Sequence, residues 1–143
     1  MDIRIKEDGW ELIVRVVGLV INGDKFLIVK NDNNEHYCLP GGHLEFGEDT
    51  LSGLKREIKE EMNSNVIIEN LFAVVENFFL RRGCRVHEFG YYFTVVPEKD
   101  LPTEDFVLKE IDKGVERSHG FKWVNFKEKY KQTFALQLSK TLL

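Results

Sequence analysis

The chain is predicted to be an α+β protein, a sandwich of strands and helices. Three observations carry that expectation. Apolar, β-branched runs punctuated by turn signals fill much of the chain, one central segment has clear helical periodicity, and a second helical stretch closes the sequence. Its 143 residues suit one domain spanning 1–143 and suffice for a core without disulfide or metal staples.

Trp10 to Ile21 is rich in Val, Ile and Leu and is predicted to be a strand. Asn22-Gly23-Asp24 is a hairpin signal, and Lys25 to Lys30 reads as the returning strand. Phe26 and Ile28 alternate there with Leu27 and Val29, so both faces should be covered. Asn31 to Glu35 is polar and turn-like. His36 to Leu39 reads as a short strand ended by Pro40-Gly41-Gly42.

Asp49 to Asn63 carries the helical signal, with Leu51, Leu54, Ile58 and Met62 at spacings of three and four. Asp49 suits the N-cap, and Asn63 tolerates the left-handed conformation that ends helices. Val66 to Phe79 and Arg85 to Val96 form two long expected strands around an Arg81-Arg82-Gly83 turn. Glu98 to Asp105 is a charged loop, Phe106 to Ile111 has no distinct pattern, and Asp112 to Gly120 reads as another loop. Phe121 to Val124 is a short strand, and Lys127 to Leu143 is expected to be helical in one or two pieces.

Composition narrows the function classes. A hydrophobic fraction of 43% with 11 Phe, 4 Tyr and 2 Trp argues against disorder. The formal charge of −4, with no basic block, argues against a dedicated nucleic-acid binder. Cys38 and Cys84 have no metal or redox spacing and read as reduced thiols. The Met1 to Arg4 start lacks signal-peptide character, and Leu12 to Ile21, interrupted by Arg15, is too short to span a bilayer. A cytoplasmic location and no membrane partner are therefore expected.

The acidic excess is concentrated. Glu57, Glu60 and Glu61 are related by three and four residues and so share one helical face beside the apolar stripe. Like charges held at a partly buried edge repel, and divalent cations would offset that cost. Mg²⁺ prefers hard oxygen ligands and retains substrate phosphates in its shell. Gly41, Gly42 and Gly47 allow the preceding loop to turn sharply and approach a ligand. Gly53 should leave the helix face uncrowded, and Arg56 can pair with Glu48 to join loop and helix. A plain solvated acidic face would not require these fixed offsets.

Gly42, Glu48, Arg56, Glu57, Ile58, Glu60 and Glu61 match the pattern G-x5-E-x7-R-E-U-x-E-E-x-G-U, where U is bulky and aliphatic. The chain thus resembles the Nudix hydrolases. Asn63 and Ser64 depart from the last two positions. Asn63 should preserve the helix end, whereas Ser64 should loosen local packing. The Leu-Pro-Gly-Gly approach and the late Trp-Val strand extend the similarity over most of the chain.

The resemblance implies an α/β/α sandwich, a mixed sheet flanked by the box helix and a C-terminal helix. It implies hydrolysis of a pyrophosphate bond in a nucleoside diphosphate linked to another moiety, such as a nucleoside triphosphate, nucleotide sugar or dinucleotide. Mg²⁺ is the implied cofactor, with Mn²⁺ as a substitute. By position, the metal ligands would be Glu57, Glu60 and Glu61, with the Gly41 carbonyl and Glu45, the latter direct or in an outer shell. Glu57 would orient or deprotonate water, and Arg56, Glu57 and Glu60 form the implied catalytic set. Homodimers are common in the family.

Outside the box, Glu116 is the candidate acid from a later loop, and Arg15 is the candidate phosphate contact. Glu76 and Glu88 are further candidates for that acid, although they stand mid-strand, where charges usually face solvent. His36, His43, His87 and His119 have no zinc-ligand spacing. Aromatics between Phe72 and Phe93 suit a core, a dimer interface or base stacking. The alternative function is a non-catalytic Nudix-fold nucleotide-binding or regulatory module, which degenerate metal glutamates would mark. A metal-independent acidic interaction protein is the third class, and a Mg²⁺ titration separates it from both.

Overall fold

The computed structural model describes residues 1–32 and 36–126. The helix expected over Lys127 to Leu143 lies outside the described residues, as does most of the turn after Asp32. The described elements are β1 (Arg4–Glu7), β2 (Trp10–Asn22), β3 (Lys25–Asn31), β4 (Gly41–His43), α1 (Thr50–Met62), β5 (Val66–Arg81), β6 (Cys84–Pro97), β7 (Phe106–Asp112) and β8 (Val115–Asn125). The mixed sheet runs β5-β6-β2-β3-β8-β7, with β1 and β4 also paired to β2.

Strand β2 organises this arrangement. One edge runs parallel to β6, from Trp10 opposite Arg85 to Val20 opposite Val95. Its other edge pairs in succession with β1, β4 and β3. Alternating side chains then serve two cores. Val16 and Val20 pack with Leu54, Ile58 and Met62 of α1, while Val17 and Leu19 pack with Phe26, Ile28, Tyr92 and Val124. As expected, β3 is covered on both faces, with Phe26 to Val29 all buried.

Both helix caps match the sequence reading. Asp49 accepts the Ser52 amide, and Asn63 adopts φ 50°, its own amide bonding to the Lys59 carbonyl. Leu51 departs from the expected stripe: it is exposed, and the buried face is completed instead by Gly53 and Glu61. Ser64 does not leave loose packing, since it is buried and its hydroxyl bonds to the Asn65 carbonyl at 3.0 Å.

Three strand expectations are corrected. His36 to Leu39 is not a strand and makes only a bridge between Cys38 and Val29. The strand lies instead on Gly41–His43, where side-chain-free backbone can pair closely with Val17 and Val16. A Cβ at Gly41 would overlap the Val16 carbonyl oxygen. The unassigned Phe106 to Ile111 and the expected loop Asp112 to Gly120 form the β7–β8 hairpin, closed by Lys113 and Gly114 at positive φ. Its polar residues mask the strand alternation because much of the hairpin faces solvent. β1, four exposed residues with no apolar alternation, pairs with β2 across an Asp8-Gly9 turn that has the chemistry of a tight hairpin.

Among the described residues, no helix is long and apolar enough to cross a membrane. Leu54 is fully buried between α1 and the sheet. Leu54→Ala should therefore cost about 2–5 kcal/mol of unfolding free energy, measured by urea titration. A loss below about 1 kcal/mol would contradict this account of the helix–sheet core.

Candidate active site

The loop between β4 and α1 is tied to the helix by one guanidinium. Arg56 Nε donates to Glu48 Oε2 at 2.7 Å and Nη2 donates to Glu48 Oε1 at 2.9 Å, a two-pronged carboxylate pair. Nη2 also reaches the His43 carbonyl at 3.1 Å, and Nη1 reaches Glu57 Oε1 at 2.9 Å. Glu48 in turn accepts the Glu45 amide at 3.1 Å. Hydrogen bonding from Arg56 holds the Glu48 carboxyl below its ordinary range.

Two glycines explain how loop and helix approach so closely. A Cβ at Gly42 would overlap the Glu57 carboxylate. One at Gly53 would come within 2.5 Å of Leu44 Cδ1 and 2.8 Å of Glu48 Oε1. Gly53 is thus less an open patch of helix than the surface against which the loop packs.

The three acids on the helix face differ in environment. The side chains of Glu60 and Glu57 are 48% and 19% exposed, and Glu61 is buried. Burial pushes Glu57 up to about 7, against the pull of Arg56. Burial pushes Glu61 up to about 8, partly offset by Arg15 and reinforced by the charge of Glu57. Glu61 Oε1 is buried and has no hydrogen-bond partner among the described residues. A buried carboxylate oxygen normally requires a partner.

These donors fit a hard divalent cation: carboxylates of graded burial beside a glycine backbone, with one oxygen still to be satisfied. Among the described residues, no three His, Cys, Asp or Glu side chains already form a closed ligand set. Glu57 is drawn to Arg56, so its carboxylate would have to turn partly toward an ion.

A cleft of about 800 Å³ brings Gly41, Gly42, Glu57, Glu60 and Glu61 together with Arg15. Arg15 donates to the Leu39 carbonyl at 3.3 Å. Burial works against its charge, but Cys38 and Glu88 outweigh that effect and hold the guanidinium above its ordinary range. His43 also lines the cleft, and burial, Arg4 and Arg15 push it down to about 4. Its neutral Nδ1 can accept from Arg4 Nη2 at 3.2 Å.

Three candidate residues lie outside the cleft lining: Arg56, which is spent on bracing the loop and Glu57, and the acids Glu45 and Glu116. Glu45 faces the Met1 amine at 3.6 Å, and Glu116 is exposed and pairs with Lys109 at 3.0 Å. The acid that this hairpin brings to the cleft is Glu110, held by His119. Glu88 also lines the cleft, only 2% exposed and bonded by Asn77, correcting the expectation that it faces solvent. Glu76 does face solvent and pairs with His87. A period-two signal for Glu88 existed, because Val86, Gly90 and Tyr92 share its buried face. Glu110 and His119 carried no such signal, because their meeting depends on hairpin register.

A family model described as the NUDIX domain matches residues 12–141. A MutT-like protein of Streptomyces ambofaciens is 35% identical over 65 residues, covering 45% of this chain and 42% of that protein. An ADP-ribose pyrophosphatase of Methanocaldococcus jannaschii is 36% identical over 64 residues, covering 43% of this chain and 38% of that protein. The matched segment thus spans less than half the length of either relative. Among solved structures, a UDP-X diphosphatase aligns with a TM-score of 0.62 at 16% identity, covering 91% of this chain and 59% of that one. A NUDIX hydrolase from Nitrosomonas europaea aligns at 0.60 and 22% identity, covering 91% and 87%. At those identities the structural likeness concerns the fold alone.

The raised carboxyls predict an alkaline weakness in protein stripped of metal by a chelator. Glu57 and Glu61 take protons more readily in the folded than in the unfolded chain. Their contribution to stability is full below the ordinary carboxylate range and is lost as pH rises through about 7 and about 8. The melting temperature in EDTA should fall between about pH 5 and about pH 8, and Glu61→Gln should flatten the upper part of that fall. A level wild-type profile, or an unchanged slope in the variant, would refute the assignment.

Proposed function

Because the chain belongs to the Nudix family, we propose that it is a Mg²⁺-dependent pyrophosphohydrolase acting on a nucleoside diphosphate linked to another moiety. The observation that carries this reading is the buried Glu61 Oε1, without a hydrogen-bond partner among the described residues, beside Glu57 on a loop-braced helix. A non-catalytic module would be marked by degenerate metal glutamates, and Glu57, Glu60 and Glu61 are all in place.

The ion would be held by Glu57, Glu60 and Glu61 with the Gly41 carbonyl, and Glu45 would act from outside the direct ligand set. Bound Mg²⁺ supplies neutralisation of the pyrophosphate charge and a water of lowered pKa. Glu57 is the group proposed to orient the attacking water and accept its proton. The water oxygen bonds to one phosphorus as the bridging P–O bond breaks, and the bridging oxygen leaves with the other phosphate. Arg56 acts as a positioning residue, since its bonds hold Glu57 and the loop in mutual register. Arg15 adds fixed positive charge to the cleft and suits a phosphate oxygen.

The substrate class extends over the activities named for the similar proteins: ADP-ribose, UDP-linked compounds and, from a Caenorhabditis elegans structure of TM-score 0.57, Ap4A. A hydrolysis panel across these compounds, with and without Mg²⁺ and with products identified, tests the proposal. At least one should be cleaved at a pyrophosphate bond only when the metal is present. Glu57→Gln and Glu61→Gln should each lower kcat by about 10²-fold or more while circular dichroism stays native. Near-wild-type turnover by either variant would defeat the assignment.

A further inference from the structure

The far end of the sheet contributes an acid from outside the box helix, Glu110 on β7, to the same cleft. His119 on β8 is 4% exposed and is held at both ring nitrogens. Its Nδ1 lies 2.6 Å from Asn31 Oδ1 on β3, and its Nε2 donates to Glu110 Oε2 on β7 at 2.6 Å. The hairpin register places these groups together: Asn31 is opposite His119, and Leu108, two residues before Glu110, is opposite His119 on the other side. All three line the cleft.

A buried imidazole fixed from both sides is a rigid support, and it limits the rotation of the Glu110 carboxylate. With Oε2 committed to His119, a carboxylate still has lone pairs for further donors. It repels phosphate, so the part of a nucleotide that complements it is an uncharged O–H or N–H group. It is also close enough for its charge to act on Glu61. The donor it meets therefore belongs to a substrate unit adjoining the pyrophosphate rather than to a more distant base. In a nucleotide that unit is the sugar, and carboxylates bind ribose hydroxyls in other nucleotide sites.

We propose that Glu110, positioned by His119, is a specificity-determining acceptor for the vicinal hydroxyls of a pentose attached to the substrate diphosphate. The proposal rests on the nucleotide-diphosphate reading above, but its test reads binding rather than turnover.

Calorimetry in Mg²⁺, with every diphosphate used as its non-hydrolysable α,β-methylene analogue, compares ADP with 2′,3′-dideoxy-ADP, and ADP with ADP-ribose. A hydrogen bond to a charged group predicts a preference of about 10–100-fold for the compound carrying the contacted diol. If the nucleoside ribose is contacted, ADP wins over its dideoxy analogue. If a second pentose is contacted, ADP-ribose wins over ADP. In either case Glu110→Ala should abolish the preference and Glu110→Gln should reduce it, with Mg²⁺ still stabilising both variants. His119→Ala should weaken the preference, and His119→Gln, which can both donate and accept, should restore part of it. Equal binding within both pairs, a preference surviving Glu110→Ala in a natively folded variant, or loss of Mg²⁺ stabilisation in Glu110→Gln would each overturn the proposal. Failure of hydrolysis with the Glu110-dependent preference intact would instead count against the catalytic reading alone.

Discussion

The Arg56–Glu48 pair is the constraint on which the site depends. The segment from Gly41 to Glu48, strand β4 and the loop after it, holds three glycines, and such backbone loses much conformational freedom when ordered. The two-pronged pair, joined by the bond to the His43 carbonyl, offsets that loss at two points of the loop. The same guanidinium reaches Glu57, so bracing the loop and aiming an acid are one event. Gly42 and Gly53 follow from it: loop and helix approach closely enough that a methyl group at either position would collide with a carboxylate or Leu44.

That geometry creates a gradient of burial along one turn of helix. Glu60 remains near water, Glu57 rests against Gly42, and Glu61 is enclosed. Burial makes the last two reluctant to ionise, and Arg15 only partly relieves Glu61. A cation can satisfy such acids more fully than water can, which links the packing of the helix to the proposed metal chemistry.

Strand β2 delivers the remaining charge. Arg15 lies opposite His43 on one edge and Gly90 on the other, so a single column crosses from the glycine strand to β6. Glu88, two residues before Gly90, balances Arg15 and is supported by Asn77 on β5. A site described by a short motif is therefore completed by strands distant from it in the chain.

What could be read from the sequence was what short spacing determines. Residues three and four apart on a helix must share a face, Asp49 and Asn63 have distinct capping chemistry, and the alternation of β3 requires two covered faces. The carboxylate face, its brace by Arg56 and the family likeness were legible for that reason. The tertiary structure decided what depends on register between strands. It exposed Leu51, made a strand of Gly41–His43, left Glu45, Arg56 and Glu116 outside the cleft lining, and brought Glu88, Glu110 and His119 into it. Side-chain pairing across strands reverses face with a one-residue slip, and no local pattern around Glu110 or His119 specifies that register.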